Sequence, residues 1–198
     1  MSTEQKEDTT GLQFLTDVRV AFPAFFKKAD NDFGDGDGKF EGTFLIAKGS
    51  PLAAECIKKI VAVANAKWKE KGPEILKGLI ANNRVCFRDG DAVTYDGFAG
   101  HHSLKASNDV KPRILGPNKE ELTAEGGKPY SGCYVNASIS FWAQDNKFGK
   151  RINANLRGVQ FVRDGVAFSG GGTASVDEFG TVAGASEAMT GDPNEMFK

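Results

Sequence analysis

From Cys133 to Ala143 the chain alternates without a break. The odd positions, Cys133, Val135, Ala137, Ile139, Phe141 and Ala143, are apolar, whereas Tyr134, Asn136, Ser138, Ser140 and Trp142 are small polar groups or large aromatics. A period of two over this length predicts a β-strand with one buried face. A partner strand follows, with Ile152, Ala154 and Leu156 on one face and Arg151, Asn153, Asn155 and Arg157 on the other. Upstream, Phe14, Thr16, Val18, Val20 and Phe22 share one phase and predict a first strand. Phe40, Gly42, Phe44 and Ile46 predict a second. Ser50-Pro51 supplies a helix start, Ser as N-cap and Pro at the first helical position. Leu52, Ile57, Ile60, Val61, Ala64 and Trp68 then fit a 3.6-residue period with one apolar face. Gly72-Pro73 ends that helix and opens a shorter one through Ile75, Leu76, Leu79 and Ile80. Short strands are predicted at 84–88 and 101–107, an edge strand at 112–115 because Pro112 cannot donate to a ladder, and a last short strand at 166–168.

Two strands, an inserted helical pair and several further strands predict a mainly β, β-rich α+β fold. Its expected form is a small barrel of the oligonucleotide-binding (OB) type, which carries ligands across its strand face and loops. After Gly170-Gly171-Gly172 small and acidic residues replace core formers, which predicts a disordered acidic tail. The expected organisation is a flexible N-terminus at 1–10, a binding domain at 11–172 and the tail at 173–198.

Charge changes the picture more than composition does. The formal net charge is −1, but residues 173–198 hold five acids against Lys198, a net of −4, and residues 1–10 a net of −2. Residues 11–172 are therefore net +5. A basic body with acidic ends points to a polyanionic partner that the whole-chain charge conceals. Cys56, Cys86 and Cys133 are odd in number, scattered and without a CxxC spacing, so reduced core thiols are expected rather than zinc or disulfides. The first ten residues are polar and mixed in charge, and no apolar run approaches the roughly 20 residues of a bilayer span. A soluble intracellular protein with no membrane partner is expected.

The wet strand faces carry the candidate chemistry. They combine cations, amides and aromatics, a set that suits a polyanion with exposed bases: single-stranded nucleic acid. Tyr134, Trp142 and Phe148 are the candidate base-stacking residues. Lys105, Arg113, Lys147, Lys150, Arg151 and Arg157 are the candidate phosphate neutralisers. The competing reading of Trp142 is a ring folded over the barrel end, and Trp68, in phase with the helix stripe, is read as core. His101 shares a face with Ser103, Lys105 and Ser107 and is a candidate groove residue. The acidic stretch Asp30 to Glu41 resembles a calcium loop only in part: its fifth position is Gly34 and its sixth is Asp35, where the sharp turn needs Gly. No metal, cofactor or catalytic residue is expected. The 170–172 glycines lack the Lys-Ser/Thr of a phosphate loop and read as a hinge.

The block KPYSGCYVNASISFWAQDNKFGKRINANLRGVQFVRDG, with YDGFAGHHSLKAS upstream, resembles the bacteriophage single-stranded DNA-binding proteins formerly grouped as a domain of unknown function. The resemblance spans roughly residues 10–170. It implies an OB-type barrel that coats single-stranded DNA during phage replication or recombination, in the cytoplasm of the infected bacterium. The acidic ending is similar to that of the T7-type protein, which implies that Asp192, Glu195 and Phe197 contact phage or host replication proteins. The terminal Lys198 departs from that type's aromatic end. Two other classes stay open at the level of sequence: a metal-dependent nuclease using the Asp30 to Asp37 cluster, and an interaction module that binds no nucleic acid.

Overall fold

The computed structural model describes residues 10–30 and 38–168. The 1–10 terminus apart from Thr10, nearly all of the Asp30 to Asp37 cluster, the glycine hinge and the 173–198 tail lie outside the described residues. Seven strands form one sheet: β1 (Leu12–Ala24), β2 (Phe40–Ala47), β3 (Phe87–Asp89), β4 (His101–Asn108), β5 (Arg113–Leu115), β6 (Tyr134–Asn146) and β7 (Gly149–Arg163). Their order is β3-β4-β2-β1-β6-β7-β5, and a further β4–β7 pairing closes the ring. Five strands, β1, β2, β4, β7 and β6, thus make a closed barrel. Every seam is antiparallel except β4–β7, where Ser107 pairs in parallel with Asn155. Closure leaves only the short β3 and β5 as outer strands, and the path is that of the expected OB barrel.

The helical pair sits between β2 and β4. In α1 (Pro51–Trp68) the Ser50 hydroxyl accepts from the Ala53 N–H at 3.1 Å, with Pro51 at the first helical position. One 3-10 turn, Lys69–Lys71, leads into α2 (Gly72–Ala81). A Cβ on Gly72 would stand 2.5 Å from the Asn65 amide oxygen. The glycine lets the second helix start directly against the first.

The barrel interior is filled by alternate residues, as the pattern predicts. Val135, Ala137, Ile139 and Phe141 of β6 meet Ile152, Ala154 and Leu156 of β7 and Phe44 and Leu104 across the ring, all fully or almost fully buried. Burying such side chains contributes about 1.5–3 kcal/mol each. The core also holds Cys56 and Cys133, and Cys86 packs against it partly buried. Burial pushes the thiols of Cys56 and Cys86 up to about 12, and that of Cys133 upward as well, which suppresses the reactive thiolate.

Four expectations are corrected. The phase of β1 does not hold: its pairing with β6 shifts between Leu15 and Val18, with Asp17 at φ 49°. This bulge buries Leu15, Val18 and Val20 and turns Phe14 outward, and a second shift turns Phe22 outward. The buried face of α1 is Ala53, Cys56, Ile60, Val63, Ala64 and Trp68, so Ile57 and Val61 face water. The 84–88 strand is shorter, because Val85 makes only an isolated bridge to Ile152 before β3 begins at Phe87. Residues 166–168 form no strand; they are held by single contacts, such as the Phe168 N–H on the Ser131 carbonyl.

Candidate nucleic-acid interface

One large groove, about 1030 Å³, crosses the outside of the barrel. Ser103, Lys105 and Ser107 of β4 and Arg151, Asn153 and Asn155 of β7 supply wet faces of alternating strands, and Trp142 and Gln144 come from β6. Asn83, Arg84 and Arg88, just before and within β3, stand along it. Phe22, Val93, Tyr95 and Phe98 line it on the side of β1 and the β3–β4 loop. The alternation that fills the core therefore also builds the groove, because each strand places every second side chain outside.

Trp142 is partly exposed in the groove, and its indole N–H donates to the Asn155 side-chain oxygen at 3.0 Å. The ring is held against β7 rather than folded over the barrel end. Trp68 is the opposite case: it is buried, and its N–H donates to Asp145 at 2.9 Å.

The groove is predominantly cationic. Five of its lining side chains are Lys39, Arg84, Arg88, Lys105 and Arg151; its lining acids are Asp89 and Asp109. Lys39 pairs with Asp109 at 3.3 Å, and Lys105 reaches out of line to Glu41 at 2.8 Å. Asp89 is engaged by Lys48, which also holds Asp91; the contact keeps both carboxyls below their usual range. Arg88 is braced by the carbonyls of Val85 and Asn83 at 3.2 and 2.9 Å. Among the described residues, neither Arg84 nor Arg151 has an ion-pair partner. Arg84 lies over the root of the β6–β7 hairpin, where a Cβ on Gly149 would come within 2.7 Å of its guanidinium.

The sequence candidates are placed unevenly. Lys105, Trp142 and Arg151 line the groove together. Lys147 and Phe148 sit at the hairpin tip, the Lys147 ammonium 5.1 Å from the Phe148 ring centroid and that ring exposed. Lys150 closes on Asp145 at 2.7 Å. Arg113, Tyr134 and Arg157 are outside the groove lining. Arg113 stands 4.0 Å from Glu121, and Arg157 is exposed. The ring of Tyr134 is covered by the Arg163 guanidinium at 3.3 Å, with Arg19 at 5.8 Å. His101 is also outside the lining; its Nδ1 lies 2.8 Å from the Ala99 carbonyl. Asp192, Glu195 and Phe197 lie outside the described residues. Among the described residues, no group of three or more His, Cys, Asp or Glu is placed to hold a metal ion, and no helix is long and apolar enough to cross a membrane.

Sequence reasoning missed Arg84, Arg88, Phe22 and Tyr95. The two arginines carried a signal, since Arg84 and Arg88 bound the predicted 84–88 strand, the one before the strand that carries Lys105. Phe22 carried none, because its outward turn depends on a bulge.

Comparison with known proteins decides the family. The model of the Enterobacter phage Enc34 single-stranded DNA-binding protein matches residues 13–190. The chain belongs to that family. Protein p50 of Acyrthosiphon pisum secondary endosymbiont phage 1 is 47% identical to this chain over 176 residues, covering 87% of this chain and 95% of that protein. The single-stranded DNA-binding protein of bacteriophage Enc34, solved in complex with single-stranded DNA, matches with a TM-score of 0.69 and 27% identity, over 81% of this chain and 90% of its own. The T7 single-stranded DNA-binding protein gp2.5 shares the fold, with a TM-score of 0.54 at 15% identity, over 87% and 98% of the two chains. The resemblance read from the sequence and the family membership agree.

Proposed function

We propose that this chain binds single-stranded DNA in the outer groove without sequence preference, and that it acts by binding alone in phage DNA replication or recombination within the host cytoplasm. The observation that carries this reading is the joining of family and geometry. A member of the Enc34 family presents an exposed tryptophan, and arginines without an ion-pair partner among the described residues, in one groove on the ligand-bearing face of an OB barrel. Arg151, Arg84 and Arg88 neutralise phosphates, Lys105 does so on leaving Glu41, and Trp142 stacks on a base. The hairpin carrying Lys147, Phe148 and Lys150 joins the last two barrel strands, a loop that borders ligands in OB barrels. Arg113, Tyr134 and Arg157 are contacts only for a strand that leaves the groove.

The deciding experiment is a titration of labelled single-stranded and duplex oligonucleotides over a range of salt. Single-strand affinity is expected to fall with salt at a log–log slope of about −0.7 per neutralised phosphate, and duplex to bind much more weakly because its bases are already stacked. Equal affinity for both forms would sink the stacking role, and no binding to either would leave only the interaction-module reading. The arginines have a finer signature. Arg151→Ala should lessen the salt slope by about 0.7, whereas Lys150→Ala should change it less, since Lys150 is already matched by Asp145.

A further inference from the structure

We infer that Phe22 and Tyr95 form a second base-stacking subsite, separate from Trp142, that takes an unpaired nucleobase of the same bound strand. The inference rests on the single-strand binding proposed above. Phe22 holds φ 51°, the left-handed region that a bulky side chain enters only at a cost. The register shift between Ala21 and Ala24 accompanies that backbone and aims the ring outward, leaving it 52% exposed. Tyr95, 57% exposed, meets it from the β3–β4 loop with ring centroids 5.3 Å apart and planes at 77°.

Packing of the loop does not account for the pair. Phe98 does that work: it is 4% exposed, buried with Ala21 and Leu45, and its ring stands behind both others at 6.2 and 5.4 Å. Two further aromatic rings half in water add little to that anchor. They do offer flat apolar faces to anything lying in the groove, and a base stacked on one perpendicular ring meets the edge of the other. The occupant follows from what surrounds the rings. They open into the same groove as Lys105 and Arg88, so their ligand carries negative charge beside its apolar face, as a nucleotide does.

Position separates this subsite from Trp142. Phe22 is on β1 and Trp142 on β6, and the groove reaches between them over β2, β4 and β7. β1 and β6 are themselves neighbours, but Leu12 lies opposite Ser140 and Arg19 opposite Tyr134, so Trp142 and Phe22 fall beyond opposite ends of that paired stretch, and a rise of about 3.3 Å per residue sets them about 20 Å or more apart along the strands. A short oligonucleotide reaches one subsite; a longer one reaches both.

The test is a ladder of oligothymidylates from about 4 to about 16 nucleotides, titrated into the parent protein and a Phe22→Ala/Tyr95→Ala variant. Binding is read by anisotropy and by quenching of tryptophan emission, with Trp68 buried and common to both. The variant should match the parent on the shortest oligonucleotides, keep their quenching of Trp142, and lose roughly tenfold or more in affinity on the longest. Parent-like binding at every length overturns the inference and leaves single-strand binding standing. An equal loss at every length overturns the separateness of the subsite. A parent that binds no oligonucleotide overturns the underlying reading as well. Phe22→Leu/Tyr95→Leu, which keeps apolar bulk but removes the ring faces, should reproduce the length-dependent loss if the alanine variant folds poorly.

Discussion

Trp68 and Trp142 are the same residue in opposite surroundings, and the difference decides what each does. Trp68 closes the apolar face of α1 with 9% of its surface exposed, while Trp142 leaves 39% of its surface open to the groove. Trp68→Ala is therefore expected to destabilise the fold by about 3–5 kcal/mol, seen as a large drop in thermal midpoint. Trp142→Ala should leave the midpoint nearly unchanged and weaken single-strand binding by about 1–3 kcal/mol. Paired thermal melts and oligonucleotide titrations check both. If Trp142→Ala lowered the midpoint as far as Trp68→Ala and kept binding per folded molecule, Trp142 would be a packing residue.

At the scale of elements, Asp145 joins the end of α1 to the β6–β7 hairpin. Its carboxylate accepts from the Lys150 ammonium at 2.7 and 2.8 Å and from the Trp68 indole at 2.9 Å. Lys150 first, then Trp68, holds the Asp145 carboxyl below its usual value. A folded pKa below the unfolded value of about 3.9 means that this stabilisation is complete above that pH and is lost as pH falls through the folded value. Asp145→Asn should therefore lower the thermal midpoint at neutral pH, and the gap from the parent should narrow as pH drops below about 4. Melts across a pH series test this. A gap of constant size would show that the side chain's shape, not its charge, makes the link. The hairpin also shows why proximity in sequence is a poor guide to a binding face. Lys150 and Arg151 are neighbours, yet one closes on the Asp145 carboxylate and the other opens into the groove.

At the scale of the whole molecule, charge is divided along the chain, with net −4 in residues 173–198 and net +5 in residues 11–172. A tethered anionic segment has a high effective concentration at a cationic groove on its own chain, and its attraction is screened beyond about 8 Å at physiological ionic strength. Removing residues 173–198 should tighten binding to single-stranded DNA, most clearly at low salt. Affinities of full-length and truncated protein at two salt concentrations measure the effect. Unchanged affinity at low salt would remove the competitor role, and weaker binding would place the tail within the DNA site.

The sequence by itself determined the β6–β7 pair, the helical insertion and the barrel class. Strict alternation from Cys133 to Ala143 and the Ser50-Pro51 helix start are local signals whose meaning does not depend on the rest of the chain. It also reached Lys105, Trp142 and Arg151, because a wet strand face is readable from the same alternation that marks the core. Tertiary structure alone decided the rest. The bulges at Asp17 and Phe22 reverse the phase of β1, and a period of two carries no warning of a one-residue insertion. Arg163 covers Tyr134 from a strand end 29 positions away, and Asp145 claims Lys150. Whether a cation or a ring is free to meet a ligand depends on which partners folding brings beside it, and those partners are set by the closure of the barrel.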